Sequence, residues 1–311
     1  MSQILVSGSL AYDHIMDLPG LFKDYFLADK LHNINISFTV PDHAEHFGGT
    51  AGNIAYSLAL LGEKPTIIST AGKDFARYEA HLEAAGISTV SIHIQDDVST
   101  AFAYIVADTD NNQISAFHPG AAGVPYGDIK PHEGAIAIIA PGCFDDMRKF
   151  PDIFRGNGTR FLFDPGQVIP ALTADDLRNG MTDASVVFAN DYEFSLIKTQ
   201  TSWDVADVLK VAQVLVITLG KEGSRVITRE GETLVKAVLV NDMKDPTGAG
   251  DAFRAGYIKG MILAKTPIEC AQLGSAVAAY AVEQIGTQSH RFTVDDLKER
   301  YQAAYGEPLA L

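Results

Sequence analysis

Cysteine is scarce in this sequence. Only two of the 311 residues are cysteines, Cys143 and Cys270, which lie far apart and outside any CxxC pattern. The chain therefore has neither a disulfide framework nor the cysteine spacing of a zinc site. This composition fits a reducing compartment, and we expect a cytoplasmic protein.

Positive charge is also in short supply. The chain has 24 lysines and arginines against 39 aspartates and glutamates, which gives a net charge of −15. Such a surface argues against a nucleic-acid backbone or an anionic membrane as a partner. A small anion such as a nucleotide stays compatible, because it needs only a local positive site.

Long apolar runs and two common nucleotide-binding motifs are missing as well. Uncharged apolar runs such as 134–144 are too short to span a bilayer. The run 3–10 has no basic residue before it, so it indicates a first strand rather than a signal peptide. No GxxxxGK[ST] occurs and no GxGxxG follows that strand, which excludes a Walker P-loop and a dinucleotide fingerprint.

Short apolar runs typical of buried strands alternate with helical patterns along most of the chain. This alternation predicts an α/β fold in a single domain, 1–311, with a doubly wound parallel sheet and helices on both faces. Ligands in such folds collect at the carboxyl ends of the strands. The predicted strands are 3–8, 65–70, 136–140, 159–164, 185–189 and 213–219, and the predicted helices are 51–61, 74–85, 191–198, 203–210, 249–264, 267–285 and 293–305.

Two early segments have a different pattern. Residues 32–40 and 99–107 alternate as exposed strands do, and a turn-forming cluster at 108–112 followed by 113–118 predicts a β-hairpin. We therefore expect a small β-sheet that acts as a lid. Its exposed edges allow a homodimer through the lid. The lid is expected to comprise about 10–17, 32–47 and 97–118.

The stretch DPTGAGDAF at 245–253 leads into a strongly helical pattern. The free N–H groups and the dipole at a helix start favour an anion. In one interpretation Gly248 and Gly250 form an ordinary tight turn, and Asp251 complements the dipole. In the other, the N–H groups of Ala249, Gly250 and Asp251 hold a transferring phosphoryl group while Asp251 accepts the proton of an attacking hydroxyl.

Three further stretches place polar residues or glycine at the ends of elements. FGGTAGN at 47–53 opens a helix, where Asn53 either binds a polyol or serves capping and packing. Asn190 and Glu193, in FANDYE, fit either a hydrated magnesium ion or a capping box. VITLGKEG at 216–223 carries a strand into a glycine turn that suits a nucleotide.

These motifs occur in the order and spacing of the ribokinase-like (phosphofructokinase B) carbohydrate kinases, which the chain resembles over essentially its whole length. DPTGAGDAF is the most specific of them. The resemblance implies a ribokinase-like fold and an ATP-dependent kinase. Within the family the chain is most similar to the bacterial adenosine kinases, through SGSLAYDH, ISFTV, GGTAGN, SAFHPG, NDYE, DPTGAGDAFRAG and GSAVAAYAVEQIGTQ.

The resemblance implies a role for each matching residue. Asp251 would be the catalytic base, and the turn through Gly248, Ala249 and Gly250 the anion hole. Asp245 and Thr247 fall where relatives bind a potassium ion. The expected nucleoside-binding residues are Ser9, Asp13, Ser37, Gly49 and Asn53 around the ribose, with Phe102, Phe117 and Gln167 at the base. The expected ATP-binding residues are Asn190 and Glu193, which would hold Mg²⁺ through water, with Thr218, Gly220 and Gly223.

One segment departs from the family pattern. At 164–172 the chain has DPGQVIPAL where bacterial adenosine kinases resemble DPSQQLARL. Gln167 matches, but Val168 replaces a glutamine and Ala171 replaces an arginine. Those positions neighbour the nucleoside in the family, so the choice of base is the open part of the assignment.

The resemblance implies ATP-dependent phosphorylation of the 5′-hydroxyl of a nucleoside, with adenosine converted to AMP. A ribose-type sugar kinase and a kinase for another nucleoside are the alternatives among enzymes. An alternative of another class is a nucleoside-binding regulator on a kinase fold. That alternative is disfavoured because the base, the anion hole and the magnesium pair are all present in the sequence.

Overall fold

The computed structural model describes residues 3–26, 33, 35–110 and 112–310. In these residues the strands are β1 Ile4–Ser7, β2 Ala11–Asp17, β3 His43–Gly48, β4 Pro65–Ile68, β5 Thr70–Gly72, β6 His93–Gln95, β7 Ala101–Ala107, β8 Gln113–His118, β9 Ile136–Ile139, β10 Arg160–Phe163, β11 Val186–Asn190, β12 Val214–Thr218, β13 Ser224–Thr228 and β14 Gly231–Val235. The α-helices are α1 Thr50–Leu60, α2 Ala76–Ala84, α3 Phe144–Gly156, α4 Ala174–Met181, α5 Asp191–Thr201, α6 Val205–Val211, α7 Ala249–Ile262, α8 Pro267–Val282 and α9 Val294–Tyr305.

The main sheet has eight strands in the order β14-β13-β12-β11-β10-β9-β1-β4. The pairs from β4 to β12 are parallel, and β13 and β14 add an antiparallel edge. All six predicted strands lie in this sheet, within a few residues of their expected bounds. Their carboxyl ends share one edge, which is where ligands bind in open α/β sheets.

Helices cover both faces of the main sheet. Side chains alternate along a strand, so Val186 and Phe188 of β11 join the core on one face while Val187 and Ala189 join the core on the other. The first core includes apolar residues of α1, α2, α7 and α8, and the second includes residues of α3 to α6. The predicted doubly wound α/β class is confirmed. Among the described helices, none is long and apolar enough to cross a membrane.

A second sheet of four strands has the order β3-β2-β7-β8. Strands β7 and β8 form the predicted hairpin, and β2 lies within the predicted 10–17 segment. The prediction of strand at 32–40 is wrong for 35–40, which have no regular structure, and residues 32 and 34 lie outside the described residues. The apolar alternation there instead lets Phe38 pack on Phe22 and Tyr25 at centroid distances of 5.6 and 5.3 Å.

Candidate active site

Helix α7 begins at a left-handed glycine. Gly248 has φ +78°, and a Cβ on it would lie 2.8 Å from the side chain of Thr287, so glycine is required there. The N–H of Ala249 donates to the carbonyl of Pro246 at 3.2 Å. This N–H is therefore bonded within the turn, and its place in the anion hole stays a prediction. In the described part of the chain, the N–H groups of Gly250 and Asp251 have no acceptor, so two donors remain for an anion.

The carboxylate of Asp251 is half-buried beside these donors. Its Oδ2 accepts a hydrogen bond of 2.8 Å from Asn53 Nδ2. Burial raises the pKa of Asp251 to about 7, against the opposing effects of the Asn53 hydrogen bond and the Arg254 charge. A carboxylate with this pKa is suited to general-base work near neutral pH.

Asn53 is held in place from the far end of the chain. Its Oδ1 accepts from Thr287 Oγ1 at 2.7 Å and from Gln288 Nε2 at 3.0 Å. Both partners belong to the GTQ of the motif 274–288, to which sequence reasoning gave no role. Asn53 is 4 % exposed, so its amide is satisfied by these protein groups and not by water.

Asp13 reaches the same site from strand β2. It is 8 % exposed, and a Cβ on Gly48 would lie 1.9 Å from its Oδ2, so the carboxylate rests against the Gly48 backbone. Burial, followed by repulsion from Asp251 and Asp245, raises the pKa of Asp13 to about 7.

Gly49 makes this approach possible. It has φ +84°, and a Cβ there would lie 2.6 Å from Ala11 N and from Ser9 O. The glycine pair of GGTAGN thus lets the start of α1 lie against β2, which brings Asn53 of α1 and Asp13 of β2 to one place.

Two predicted substrate residues have other surroundings. The Ser9 hydroxyl accepts the Thr50 N–H at 3.2 Å and its carbonyl accepts the Ala51 N–H at 3.0 Å, so Ser9 anchors α1 to the end of β1. Ser37 is exposed in the irregular segment 35–40. Among the contacts of the described residues, neither side chain joins the cluster around Asp251.

The two phenylalanines of the hairpin lie on opposite faces of the small sheet. Phe102 is paired with His118 and Ala103 with Phe117, and residues paired across a ladder share a face. Phe117 therefore shares a face with Asp13, which is in register with Ala103. We call this the inner face, and the face of Phe102 the outer face. The prediction that both rings line one pocket is wrong for Phe102.

At the start of α5, Asn190 and Glu193 form a capping box. Asn190 N donates to Glu193 Oε2 and Glu193 N donates to Asn190 Oδ1, both at 2.7 Å. The capping alternative is thus realised, and it leaves Glu193 Oε1 without a hydrogen bond in the described residues. Burial and the neighbouring Asp164 raise the pKa of Glu193.

Strand β12 ends in a glycine turn beside a large cleft. Thr218 is the last residue of β12, and Gly220 and Gly223 have φ +56° and +105°. A Cβ on Gly223 would lie 2.0 Å from the carbonyl of Val235, so only glycine fits. The adjoining cleft has a volume of about 1260 Å³, and its lining includes Lys221, Glu222, Lys236, Lys244, Gln284 and Arg300.

A buried ion pair that sequence reasoning missed connects α7 to Asp164, the residue after β10. Arg254 donates to both oxygens of Asp164, from Nε at 2.8 Å and from Nη2 at 3.0 Å. The same guanidinium lies 3.3 Å from the carbonyl of Gly250. The arginine of DAFRAG and the aspartate that opens DPGQVIPAL are the sequence signals that could have indicated this pair. Gln167, three residues after Asp164, is exposed, and Val168 packs against the core.

Asp245 organises the loop before α7. Its carboxylate is 7 % exposed and accepts the N–H groups of Thr247 at 2.9 Å and Gly286 at 3.0 Å. The hydroxyl of Thr247 in turn accepts from Gln113 of strand β8 at 3.2 Å, so the small sheet touches the loop before α7. No cluster of three or more His, Cys, Asp or Glu side chains suited to a metal occurs in the described ranges.

Fold and site together fit an α/β phosphotransferase that acts on an alcohol, with the Asp251 carboxylate beside two open N–H groups at a helix start. The family model described as pfkB family carbohydrate kinase matches residues 1–293, and the chain belongs to this family. The predicted family and fold are confirmed, as is an ATP-using kinase with an alcohol acceptor.

Several relatives are similar over nearly their whole length. The structure of Burkholderia thailandensis nucleoside kinase in complex with inosine superposes with a TM-score of 0.88 at 35 % identity, covering 98 % of this chain and 99 % of that one. The same enzyme has also been solved with ADP and inosine. The nucleoside kinase of Methanocaldococcus jannaschii is 28 % identical over 305 residues, which is 97 % of each chain. Its structure superposes with a TM-score of 0.86.

Proposed function

We propose that the protein is a nucleoside kinase that transfers a phosphoryl group from ATP to the 5′-hydroxyl of a purine ribonucleoside. The observation that carries the proposal is the meeting of Asp251, Asn53 and Asp13 beside two open N–H groups. The similarity to a nucleoside kinase solved with inosine supports a nucleoside over a free sugar. Adenosine is the nucleoside that we predict from the sequence, and inosine is the first alternative.

In this mechanism each group has one task. Asp251 accepts the proton of the 5′-hydroxyl as that oxygen attacks the phosphoryl group. The N–H groups of Gly250 and Asp251 stabilise the negative charge that develops on the phosphoryl oxygens. Asp13 accepts hydrogen bonds from ribose hydroxyls, and Phe117 covers the base. The Arg254–Asp164 pair holds the start of α7 in position.

The glycine turn after β12 and the neighbouring cleft are the proposed ATP site. A cleft of about 1260 Å³ is large enough for a nucleotide. Its lining mixes basic side chains such as Lys221, Lys236 and Lys244 with acidic ones such as Glu222 and Asp242, so a cation would have to supply much of the charge that balances the phosphates. Gly220, where an added Cβ would meet no described atom within 4 Å, leaves this turn open to the phosphates, and Thr218 and Gly223 flank it.

Two cations are proposed at this site. Glu193 keeps one unpaired carboxylate oxygen, so Asn190 and Glu193 fit a hydrated Mg²⁺, which would neutralise phosphate charge. Asp245 is a buried carboxylate with no ion pair in the described residues, which fits the K⁺ expected beside Asp245 and Thr247. Equal rates in sodium and potassium buffers would remove the potassium part.

A substrate panel tests the function. ADP release with adenosine, inosine, cytidine, 2′-deoxyadenosine and ribose should give the highest kcat/KM for adenosine. The 2′-deoxynucleoside should be weaker by about tenfold, because Asp13 loses a hydrogen-bond donor worth on the order of 1–3 kcal/mol. Ribose should be poor, because it lacks a base to stack. A kcat/KM for ribose equal to that for adenosine would instead indicate the sugar kinase alternative. A higher kcat/KM for inosine or cytidine than for adenosine would show that another base is preferred.

The variant Asp251→Asn tests the base itself. We expect kcat to fall by roughly 10²–10⁴-fold while the nucleoside Kd changes only a few-fold, since proton transfer is lost but binding is kept. Asp295→Asn, an exposed carboxylate in the first turn of α9, controls for the loss of one charge at a helix start. Near wild-type turnover in Asp251→Asn would show that Asp251 is not the base. If the wild-type protein binds nucleosides but phosphorylates none of them, the regulator alternative is supported.

A further inference from the structure

A single line of hydrogen bonds connects a backbone carbonyl to Asp251. The hydroxyl of Tyr78 donates to the carbonyl of Gly48 at 2.6 Å. Gln288 Nε2 donates to the Tyr78 oxygen at 2.5 Å and to Asn53 Oδ1 at 3.0 Å. Asn53 Nδ2 then donates to Asp251 Oδ2 at 2.8 Å.

The direction of every bond in this line follows from its first member. A carbonyl only accepts, so the one proton of Tyr78 is committed to Gly48 and the phenol oxygen is left to accept. Gln288 must therefore turn its NH₂ group toward Tyr78, and the second N–H of that group points at Asn53. Asn53 in turn must present its oxygen to Gln288 and its NH₂ group to Asp251.

The other end of Gln288 agrees with this orientation. Its Oε1 lies 3.0 Å from His81 Nε2, which donates when the ring carries its proton there. The ring of His81 is itself held by stacking on Phe47 at 4.2 Å. Gln288 and Tyr78 are 5 % and 0 % exposed, so water does not substitute for either partner.

Thr287, the other partner of Asn53, does not set the amide orientation. Its Oγ1 lies 2.7 Å from Asn53 Oδ1 and 2.9 Å from the carbonyl of Phe47. A hydroxyl has one proton, and once it is donated to Phe47 the oxygen accepts from an amide turned the other way. An Asn53 turned in that way would point its carbonyl oxygen at the Asp251 carboxylate.

We propose that Gln288, oriented by Tyr78, is a positioning residue that fixes the amide of Asn53 so that a donor, not an acceptor, faces Asp251. This inference rests on the proposed role of Asp251 as the catalytic base. Its consequence is that Gln288 keeps Asp251 ionised to lower pH without touching either substrate.

Three variants test the proposal. Gln288→Met removes the donor with little change in volume, and Tyr78→Phe removes the oxygen that orients Gln288 while keeping the ring. Ser57→Ala is the control, because it also deletes a buried hydrogen bond of α1, to His290 at 3.1 Å, but lies outside the line. The main readout is the titration of the Asp251 carboxyl carbon by NMR, assigned with Asp251→Asn. The second readout is the acid limb of the kcat/KM profile.

In Gln288→Met we expect the midpoints of the Asp251 titration and of the acid limb to rise by about one pH unit. The reason is that Asn53 is no longer held with its NH₂ group toward Asp251, so the ionised carboxylate loses a hydrogen bond. Activity should then fall about tenfold below pH 6.5 and approach wild-type values above pH 8.5. Tyr78→Phe should shift the midpoints in the same direction by less, and Ser57→Ala should leave them in place. Tyr78→Phe provides the test if Gln288→Met does not fold.

An unchanged Asp251 titration in a folded Gln288→Met or Tyr78→Phe protein would overturn the proposal, as would an equal shift in Ser57→Ala. The NMR readout separates this failure from failure of the proposed function. A raised Asp251 midpoint in a protein that phosphorylates no nucleoside would support the positioning role and remove the nucleoside kinase assignment.

Discussion

At the scale of single residues, the site brings together more carboxylates than the ion pairs of the described residues neutralise. Arg254 is the cation at the start of α7, and both oxygens of Asp164 already occupy it. Asp13 and Asp251 have no ion pair in the described residues. At Asp13, burial and then repulsion from Asp251 and Asp245 raise the pKa to about 7. At Asp251, burial raises the pKa to about 7 in spite of the Asn53 hydrogen bond and the Arg254 charge.

This predicts that kcat/KM falls as the pH drops below about 7. A base must be ionised to act, and Asp251 with its raised pKa of about 7 is protonated below that pH. Because Asp13 titrates in the same range, the acid limb should be steeper than that of a single group. Initial rates between pH 5.5 and 9 measure the limb. The residual activity of Asp251→Asn serves as the control, since titration of the nucleotide persists there. A rate that stays level down to pH 5.5 would contradict the assignment.

At the scale of elements, the strands and the hairpin that were predicted correctly are those with a local sequence pattern. The apolar runs of β9, β11 and β12 are buried on both faces, and the turn cluster after β7 closes the predicted hairpin. Helix α3 is not predicted, because Pro151 in its interior lacks an N–H and usually marks a helix end. Burial of Met147, Phe150 and Phe154 on one side offsets that loss.

The residues that we propose for catalysis could be chosen as candidates from the sequence because each lies in a compact motif. Asp251, Asn53 and Gly248 have local signals of glycine and polar residues at a helix start. Their partners were not predictable, because Asn53 and Thr287 are 234 positions apart and no local pattern encodes such a contact. The same holds for the faces of the hairpin, since Phe102 and Phe117 are distinguished only by the register across the turn.

The small sheet, which we propose as a lid, gives a prediction with a built-in control. Phe117→Ala should raise the nucleoside Kd by about tenfold or more, since stacking of a base on an aromatic ring is worth roughly 1–3 kcal/mol. Phe102→Ala removes a ring of the same size from the outer face and should leave the Kd within about twofold. Isothermal titration with nucleoside measures both values. Equal losses in the two variants would mean that the inner face does not cover the base.

At the scale of the whole molecule, the outer face of the lid exposes apolar side chains. Tyr104 is 47 % exposed and Ile114 is 41 % exposed, and Tyr104 stacks on His14 at 4.7 Å. Clustered exposed apolar groups are typical of interaction surfaces, and the sheet also ends in two open edge strands, β3 and β8.

We therefore predict a homodimer through this face. Sedimentation velocity at micromolar concentration should show a dimer for the wild type and a monomer for Tyr104→Glu, because a charge would be buried without a partner. Tyr192→Glu, on an exposed tyrosine of α5, is the matched control and should remain dimeric. A monomeric wild type, or a dimeric Tyr104→Glu, would exclude this interface.

The raised pKa of Asp13 also predicts how the site affects the stability of the whole molecule. A carboxyl whose pKa is about 7 in the folded protein, against an ordinary value of 3.8, destabilises the fold as the pH rises from about 4 to 7. The difference of about three units corresponds to about 4 kcal/mol at pH 8, and to roughly 1.5 kcal/mol at pH 5. Asp13→Asn should therefore raise the free energy of unfolding by up to these amounts, with the larger gain at pH 8. Urea unfolding at both pH values measures it, with the exposed Asp17→Asn on the same strand as the control. If the free energy of unfolding rises equally at both pH values, or falls at pH 8, then the pKa of Asp13 is not raised in the folded protein.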